Sequence, residues 1–330
     1  MNWKDKRVLV TGADGFIGSH LVEALAREGA KVRAFCMYNS NGSWGWLDTT
    51  DSEIRSSLDV VLGDVRDARF VEQACREIEV VFHLAALIAI PYSYVAPESF
   101  VDTNVRGTLN VLEAVRQNGC LRLVHASTSE VYGTPDTVPI RETHTLKGQS
   151  PYSASKIAAD KLCEAYACSF GTPAVVLRPF NTYGPRQSPR AVLASILLQL
   201  LGGAKEVRVG SLWPKRDFNF VEDTVRGFML AGSANLEPGD VIQLGTGRAV
   251  SIGELFEAAC GSLGVQARAI FEPIRARPEQ SEVAILLSDA SRARERLGWS
   301  AEVSLDEGLR RTAKWMESNR GAHQLEHYYV

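Results

Sequence analysis

The stretch RVLVTGADGFIGSHLVEALAREG, residues 7–29, decides the fold. It opens with an aliphatic run typical of a buried strand and continues as an amphipathic helix that Gly29 ends. Between strand and helix, Gly12, Gly15 and Gly18 follow the spacing GxxGxxG. Glycines at these positions let the backbone approach a pyrophosphate, whose charge is stabilised by amide groups at the helix N-terminus. The stretch therefore predicts an N-terminal dinucleotide site.

The pattern of strand followed by helix continues beyond residue 29. Further strand-like runs are KVRAFCM (31–37), VVFHLAA (80–86), LRLVHAS (121–127) and PAVVLRPF (173–180). This alternation predicts an α/β fold, a Rossmann-type doubly wound parallel sheet with a smaller C-terminal α/β domain. We predict that residues 1–186 form the dinucleotide-binding domain, with 218–246 returning to it, and that 187–217 and 247–330 bind the substrate.

Composition excludes several classes of function. Apolar residues make up 45% of the chain, charged residues 23%, and the net charge is -3, so neither nucleic acid nor an anionic membrane is expected as a partner. The six cysteines form no CxxC pair, which argues against a zinc site or a disulfide framework, and no metal is expected. The apolar run at 192–201 is half the roughly 20 residues that a membrane span needs. We expect a cytoplasmic protein.

The adenosine end of the dinucleotide site departs from the usual pattern. An acidic residue normally ends the second strand and binds the ribose hydroxyls, but Cys36 and Met37 stand there, and no arginine follows. The next residues, Tyr38, Asn39 and Ser40, offer neutral hydrogen bonds instead. The choice between NAD and NADP stays open, and NAD is favoured. In GDVRD (63–67), Asp64 and Val65 are placed to meet the adenine, although Asp64 could instead cap the next helix.

A tyrosine and a lysine carry the predicted chemistry. Tyr152 and Lys156 lie four residues apart in a predicted helix and so share one face. We expect the lysine cation to lower the phenol pKa, so that the tyrosinate can accept a proton from a substrate hydroxyl as hydride leaves for the nicotinamide. Thr128, after an earlier strand, can hydrogen-bond the same hydroxyl.

At this point the chain resembles the extended short-chain dehydrogenase/reductases, in their nucleotide-sugar epimerase/dehydratase branch. The matching stretches are TGADGFIGSH, GDVRD, HLAA, DTNVRGT, STSEVYG, PYSASK and RPFNTYGPR. More narrowly it resembles the legionaminic-acid-type N-acetylglucosamine 4,6-dehydratases, through YNSNGSWGWLD (38–48), ALIAIPYSYVAPES (86–99), LWPKRDFNFVEDT (212–224) and RARPEQSEV (275–283).

The resemblance implies a set of binding residues. The predicted cofactor contacts are Gly12, Gly15, Phe16, Ile17, Gly18, Tyr38, Asn39, Ser40, Asp64, Val65, Leu84, Ala85, Ala86, Asn104, Ser127, Tyr152, Lys156, Pro179 and Asn181. The predicted substrate contacts are Ile88, Thr128, Asn181, Arg186, Val192, Arg216 and Arg277. The three arginines would hold a nucleotide diphosphate, because a guanidinium fork matches phosphate oxygens; each could instead be a solvated surface charge. The resemblance also implies a homodimer that pairs two long helices, 100–118 and 152–170, across a two-fold axis.

The reaction depends on the residues after Thr128. The family oxidises C4 of the sugar, which acidifies the C5 proton, and Glu130 stands where the 4,6-dehydratases place the base that removes it. Most hexose 4,6-dehydratases carry Asp-Glu, whereas this chain has Ser129-Glu130. We therefore expect a 4,6-dehydratase and keep open a 4-epimerase of a nucleotide-linked hexose or heptose, a UDP-glucuronate-type decarboxylase, and a non-catalytic dinucleotide sensor.

Overall fold

The computed structural model describes residues 2–319, so the end of the predicted second domain lies outside the described residues. The strands are β1 (Arg7–Thr11), β2 (Lys31–Met37), β3 (Asp59–Gly63), β4 (Val80–His83), β5 (Arg122–Ala126), β6 (Ala174–Pro179), β7 (Asn181–Tyr183), β8 (Glu206–Val209), β9 (Lys215–Phe220), β10 (Val241–Leu244), β11 (Ala249–Ser251), β12 (Arg268–Phe271) and β13 (Ile285–Leu286). The α-helices are α1 (Phe16–Arg27), α2 (Ser52–Ser57), α3 (Ala68–Ala74), α4 (Ile90–Val95), α5 (Pro97–Phe100), α6 (Gly107–Asn118), α7 (Pro151–Phe170), α8 (Val192–Leu201), α9 (Val221–Ser233), α10 (Ile252–Leu263), α11 (Ser291–Leu297) and α12 (Leu305–Ser318).

Seven parallel strands form the main sheet, in the order β10-β6-β5-β4-β1-β2-β3. The predicted Rossmann-type fold is confirmed. From β1 the chain first builds outward through β2 and β3 and then returns to β4 on the other side, so the strand order reverses between β1 and β4. Ligands of such sheets bind at the carboxyl ends of the strands at this reversal.

Side chains of β1 show how the sheet is covered on both faces. Val8 and Val10 are buried in one hydrophobic cluster with Leu21 of α1 and Phe228 of α9. Leu9, between them, is buried in a second cluster that includes residues of α3 and α6. Successive side chains of a strand point to opposite faces, so a near-continuous apolar run is what a doubly covered parallel strand requires.

A smaller sheet holds β11, β9 and β13, with β7 paired to β9, and β8 pairs with β12. The sheet uses 181–183 and the end of β9, which the sequence-based division assigned to the larger domain. After Pro179 the chain pairs through Asn181–Tyr183 with β9 and not with a strand of the main sheet. The proposed domain boundaries otherwise remain a prediction.

Two predicted elements differ from the structure. The single helix expected over 100–118 is interrupted by a π-helical segment, Val101–Arg106, before α6 begins. The strand expected over 80–86 ends at His83. The backbone amide of Ala85 donates to the side-chain hydroxyl of Thr11 (3.2 Å) and not to a backbone carbonyl, so the ladder of strand hydrogen bonds does not continue. Both changes fall at the edge where the dinucleotide is expected.

All six cysteines are free thiols, five of them buried and Cys168 exposed. Among residues 2–319, no helix has the length and apolar character to cross a membrane.

Candidate active site and dinucleotide cradle

The glycine-rich turn packs against the chain that follows β4. Gly12 has a φ of +68°, and a Cβ on it would lie 2.8 Å from the backbone nitrogen of Ala85. A Cβ on Gly18 would lie 2.0 Å from the carbonyl oxygen of Gly12. Helix α1 begins at Phe16 with Gly15 as N-cap and no capping side chain, which leaves its first amide groups for a ligand. These features fit a dinucleotide pyrophosphate and bring the predicted residues 84–86 beside the loop.

Asn104 fixes the next part of the cradle. It is buried in the π-helical segment, and its Oδ1 accepts from the amide of Leu87 at 2.8 Å. Its Nδ2 donates to the carbonyl of Leu87 and to the hydroxyl of Ser155, both at 2.9 Å. Asn104 therefore ties the segment after β4 to helix α7, and its place near the nicotinamide remains a prediction.

The chain after β2 uses most of its polar groups within its own loop. The side-chain nitrogen Nδ2 of Asn39 donates to the backbone carbonyls of Met37 and Ser43. The side-chain oxygen Oδ1 accepts from the backbone amide of Ser43. Tyr38 is exposed, and the Asp14 carboxylate accepts from the Met37 amide at 3.2 Å. Sequence reasoning missed Asp14, because the acid was sought at the end of β2 and not inside the glycine motif.

Asp64 does not cap α3, so that alternative is wrong. The cap is Asp67, whose carboxylate accepts from the amide of Phe70 at 3.0 Å. Asp64 instead binds the guanidinium of Arg66 at 2.5 Å, an ion pair that holds the carboxyl pKa below its usual value. Val65 is buried. The predicted contact with adenine is untested.

Two tryptophans that follow β2 pack their loop onto the protein. Trp44 packs against the main hydrophobic cluster. The ring of Trp46 meets that of Trp315 edge to face, with centroids 5.5 Å apart. Packing therefore accounts for both side chains.

The predicted catalytic pair Tyr152 and Thr128 meets at the end of β5. Helix α7 begins at Pro151 behind a capping box formed by Ser150 and Ser153, which places Tyr152 in its first turn. Thr128 caps the short 3-10 turn Ser129–Tyr132, and its hydroxyl accepts from the Glu130 amide at 3.2 Å. The Thr128 hydroxyl lies close enough to the Tyr152 phenol to act on its pKa. That both contact one substrate hydroxyl remains a prediction.

The electrostatics of Tyr152 differ from the prediction. Burial raises the pKa of its phenol, and the nearby Thr128 hydroxyl and the charge of Arg277 oppose this only in part. Lys156 donates from Nζ to the carbonyl of Ala126 at 2.6 Å and lies 3.4 Å from His125 Nε2. Because burial outweighs the neighbouring charges and the Lys156 ammonium donates to the Ala126 carbonyl, the phenol pKa is raised, whereas the sequence predicted that it would be lowered. Burial lowers the pKa of Lys156 itself to about 8.

A buried network of charged residues lies beside Lys156. Asp160, one turn further along α7, accepts from the Ser127 hydroxyl at 2.9 Å and pairs with Arg178 at 2.9 Å. His125 Nε2 lies 3.6 Å from the Asp160 carboxylate, and burial keeps the pKa of this imidazole well below its usual value. His125 is a buried core residue. Ser127 is predicted to contact the cofactor, but its hydroxyl donates to Asp160.

A second group of charges, which includes Glu130 and Arg277, lies near Tyr152. Arg277 Nη1 is 3.3 Å from one carboxylate oxygen of Glu130 and 3.7 Å from Glu282. Arg216 pairs with Glu282 at 2.7 Å and donates to the carbonyl of Val283 at 2.7 Å. The structure thus brings Glu130, Arg216 and Arg277 together, as a substrate site requires. Arg216 also anchors the segment that carries Arg277.

Arg186 lies in a different place from the other two arginines. Its Nη2 pairs with Glu23 of α1 at 2.6 Å, while Nη1 is buried without a hydrogen-bond partner among the described residues. Asn181 Oδ1 is likewise buried without a described partner. A buried polar atom of this kind is most often satisfied by a ligand or water, which fits the predicted role of Asn181.

Four other predicted site residues carry less information. Pro179 ends β6, Val192 opens α8, and Ile88 is largely exposed. Ser129 is buried within its turn. Within residues 2–319 there is no cluster of three or more histidine, cysteine or acidic residues that could hold a metal.

Comparison with known proteins agrees with this geometry. The sequence model of the family described as GDP-mannose 4,6 dehydratase matches residues 9–312. The chain is 33% identical over 317 residues to UDP-glucose 4-epimerase of Mycolicibacterium smegmatis, covering 94% of this chain and 99% of that protein. It is 32% identical over 321 residues to dTDP-glucose 4,6-dehydratase of an Actinoplanes species, covering 95% and 98%. The structure of DesIV, the dTDP-glucose 4,6-dehydratase of Streptomyces venezuelae with NAD bound, matches with a TM-score of 0.85 at 31% identity, covering 96% and 98%. The chain therefore belongs to the GDP-mannose 4,6-dehydratase family and is an enzyme of the nucleotide-sugar epimerase/dehydratase branch of the extended short-chain dehydrogenase/reductases.

Proposed function

We propose that this enzyme is a nucleotide-sugar 4,6-dehydratase that works with bound NAD. The observation that carries the proposal is the carboxylate of Glu130 beside the pair Thr128 and Tyr152, because a simple 4-epimerase needs no base there. Glu130 follows Thr128 in the same turn, and its charge acts on the Tyr152 phenol. The glycine cradle would hold NAD, which takes a hydride from the sugar and later returns it.

In the first step, Tyr152 removes the proton of the sugar 4-hydroxyl. The Thr128 hydroxyl, which lies close to the Tyr152 phenol, orients that group. Lys156 lies one helical turn away on the same face, and its positive charge favours the phenolate form of Tyr152 that accepts this proton. C4 becomes a ketone when its hydride leaves.

In the second step, Glu130 removes the C5 proton, which the new ketone has made acidic. A double bond forms between C5 and C6 as the C6–O bond breaks. The leaving hydroxyl needs a proton, and Ser129 is buried and a weak acid near neutral pH. The protonated Glu130 supplies it, so that water leaves. Return of the hydride to C6, with a proton that Glu130 takes from solvent water and passes to C5, would yield a 4-keto-6-deoxy sugar.

Arg277 is the group best placed for the nucleotide diphosphate. Its side chain is 22% exposed, whereas that of Arg216 is 5% exposed and is bound to Glu282. Arg277 can therefore exchange a carboxylate partner for phosphate oxygens, which suit a guanidinium. Asn181, and Arg186 through its unpartnered nitrogen, are further candidates for the same ligand.

The sugar and the assembly belong to the same proposal. The strings shared with legionaminic-acid-type dehydratases support an N-acetylglucosamine nucleotide as substrate. We further propose a homodimer in which α6 and α7 pair across a two-fold axis. Light scattering of the purified enzyme would show twice the chain mass.

A 4-epimerase is the second candidate. Ser129 stands in the place of the aspartate of most hexose 4,6-dehydratases, and Arg277 holds Glu130 in an ion pair. Relatives of both kinds are similar to this chain to the same degree.

The reaction product separates the two candidates. We would incubate the enzyme in heavy water with UDP-, dTDP-, GDP- and ADP-linked hexoses and N-acetylhexosamines and read the products by mass and NMR. A 4,6-dehydratase gives a product that has lost one water and carries deuterium at C5. A product of unchanged mass, inverted at C4 and free of deuterium at C5, would contradict the proposal and favour the epimerase.

A further inference from the structure

The end of β2 lacks the carboxylate that normally receives the adenosine ribose. That residue usually comes about 20 positions after the glycine motif and accepts hydrogen bonds from the ribose hydroxyls. In this chain β2 ends at Met37, and exposed Tyr38 follows. The sequence around this strand therefore leaves the selection between NAD and NADP without an evident basis.

The structure places a carboxylate there from another part of the chain. Asp14 belongs to the glycine motif, and its Oδ2 accepts from the amide of Met37 at 3.2 Å. Its carbonyl oxygen accepts from the amide of Trp46 at 3.1 Å. Gly45 lies so close that a Cβ on it would be 2.5 Å from that carbonyl. Asp14 is thus held between the glycine turn, the end of β2 and the following loop.

Asn39 and Asp48, at the same end of the sheet, are already hydrogen-bonded within their loop. The carboxylate of Asp48 accepts from the Ser43 hydroxyl at 2.6 Å and from the Trp44 amide at 3.0 Å, which shapes the loop. A carboxylate has about four acceptor positions, and the Met37 amide occupies one of those of Asp14. The other positions can accept hydrogen bonds from a ligand.

We infer that Asp14 takes the place of the missing β2 carboxylate, accepts hydrogen bonds from the adenosine ribose, and sets the preference for NAD over NADP. A 2′-phosphate would bring negative charge against this carboxylate in a partly buried site, where like charges repel strongly. The inference rests only on the NAD-binding part of the proposed function and is independent of the reaction.

The test is a competition between the two cofactors. Wild-type enzyme, D14N and the control D48N are each equilibrated with equimolar NAD and NADP, and the bound nucleotides are released by denaturation and measured by mass. D14N keeps an oxygen for the Met37 amide but loses the charge, so we expect the ratio of bound NAD to NADP to fall at least fivefold. D48N makes the same charge change in the adjacent loop and should leave the ratio within twofold of wild type.

The outcomes are distinct. A fall of less than fivefold in D14N, or an equal fall in D48N, would overturn the inference. If far-UV circular dichroism shows D14N to be misfolded, D14S is judged by the same fivefold criterion. Failure of wild-type enzyme to bind either nucleotide would sink the NAD part of the proposed function as well, whereas an unchanged ratio sinks the role of Asp14 alone.

Discussion

Two carboxylate–guanidinium pairs flank Tyr152, and they differ in how tightly they are enclosed. In the first, which we call the lower pair, Asp160 and Arg178 lie 2.9 Å apart, and their side chains are only 3% and 4% exposed. In the second, the upper pair, Glu130 and Arg277 lie 3.3 Å apart, and their side chains are 11% and 22% exposed. The lower pair is enclosed in protein, whereas the upper pair borders the proposed substrate site.

The difference separates a structural role from a chemical one. Arg178 also donates to the hydroxyl of Tyr132 at 2.9 Å, so the lower pair belongs to a network whose loss would leave a charge buried alone. The upper pair is longer and more exposed, and Arg277 divides its charge between Glu130 and Glu282. A diphosphate can replace these partners, which would leave Glu130 available to act as a base.

The largest expected effect is on stability, from the lower pair. D160N removes the charge that Arg178 needs, and stranding one partner of a buried pair costs about 3–5 kcal/mol. Urea unfolding of D160N should show this loss in the free energy of unfolding. E130Q, the matched change in the upper pair, should cost clearly less, because that pair is longer and Arg277 keeps Glu282 as a partner. Equal losses in the two variants would show that the pairs do not differ as described.

A smaller effect is expected on substrate binding, from Arg277. R277Q removes a charge-assisted contact to the diphosphate, which is worth about 1.5–3 kcal/mol, so KM should rise roughly 10- to 100-fold while kcat changes less. Steady-state kinetics checks this. R208Q, a matched change at an exposed position of β8, should leave KM within about twofold of wild type. The Arg208 side chain is 63% exposed, and its ion pair is with Glu272. A fall in kcat with an unchanged KM would place Arg277 in the chemistry instead.

The smallest effect near neutral pH is a pH dependence set by Lys156, whose charge interacts with Asp160 of the lower pair. Burial lowers the pKa of Lys156 to about 8, and Asp160 opposes that shift. The ammonium is present below this pH and is lost above it, so kcat at saturating substrate should fall by up to about tenfold per pH unit above 8. A pH profile between 6 and 10 tests this. A kcat that stays level to pH 10 would show that the charge of Lys156 is not required.

Much of the fold could be predicted from sequence, because its signals are local. Each signal spans only a few residues: the three glycines, the strand runs, and the pair Tyr152 and Lys156. From these signals the parallel sheet and the proximity of Tyr152 to Thr128 could be predicted. The π-helical segment could not be predicted, since its apolar pattern resembles that of an ordinary helix.

The partners of charged side chains were less predictable. Arg186 reaches Glu23, Arg277 reaches Glu130 and Asp14 reaches Met37 only because distant segments fold together. The pKa of Tyr152 was predicted with the wrong direction for a similar reason. Spacing showed Lys156 on the same face, but the Ala126 carbonyl that binds the lysine comes from β5.

The most direct test of the account is a single turnover of E130Q with the nucleotide sugar that wild-type enzyme accepts, followed by the near-ultraviolet absorbance of reduced nicotinamide. If Tyr152 oxidises C4 and Glu130 then starts the elimination, E130Q should accumulate reduced cofactor and the 4-keto sugar without releasing water, whereas Y152F should show no absorbance change. Formation of the 4-keto-6-deoxy product by E130Q at the wild-type rate would contradict the account.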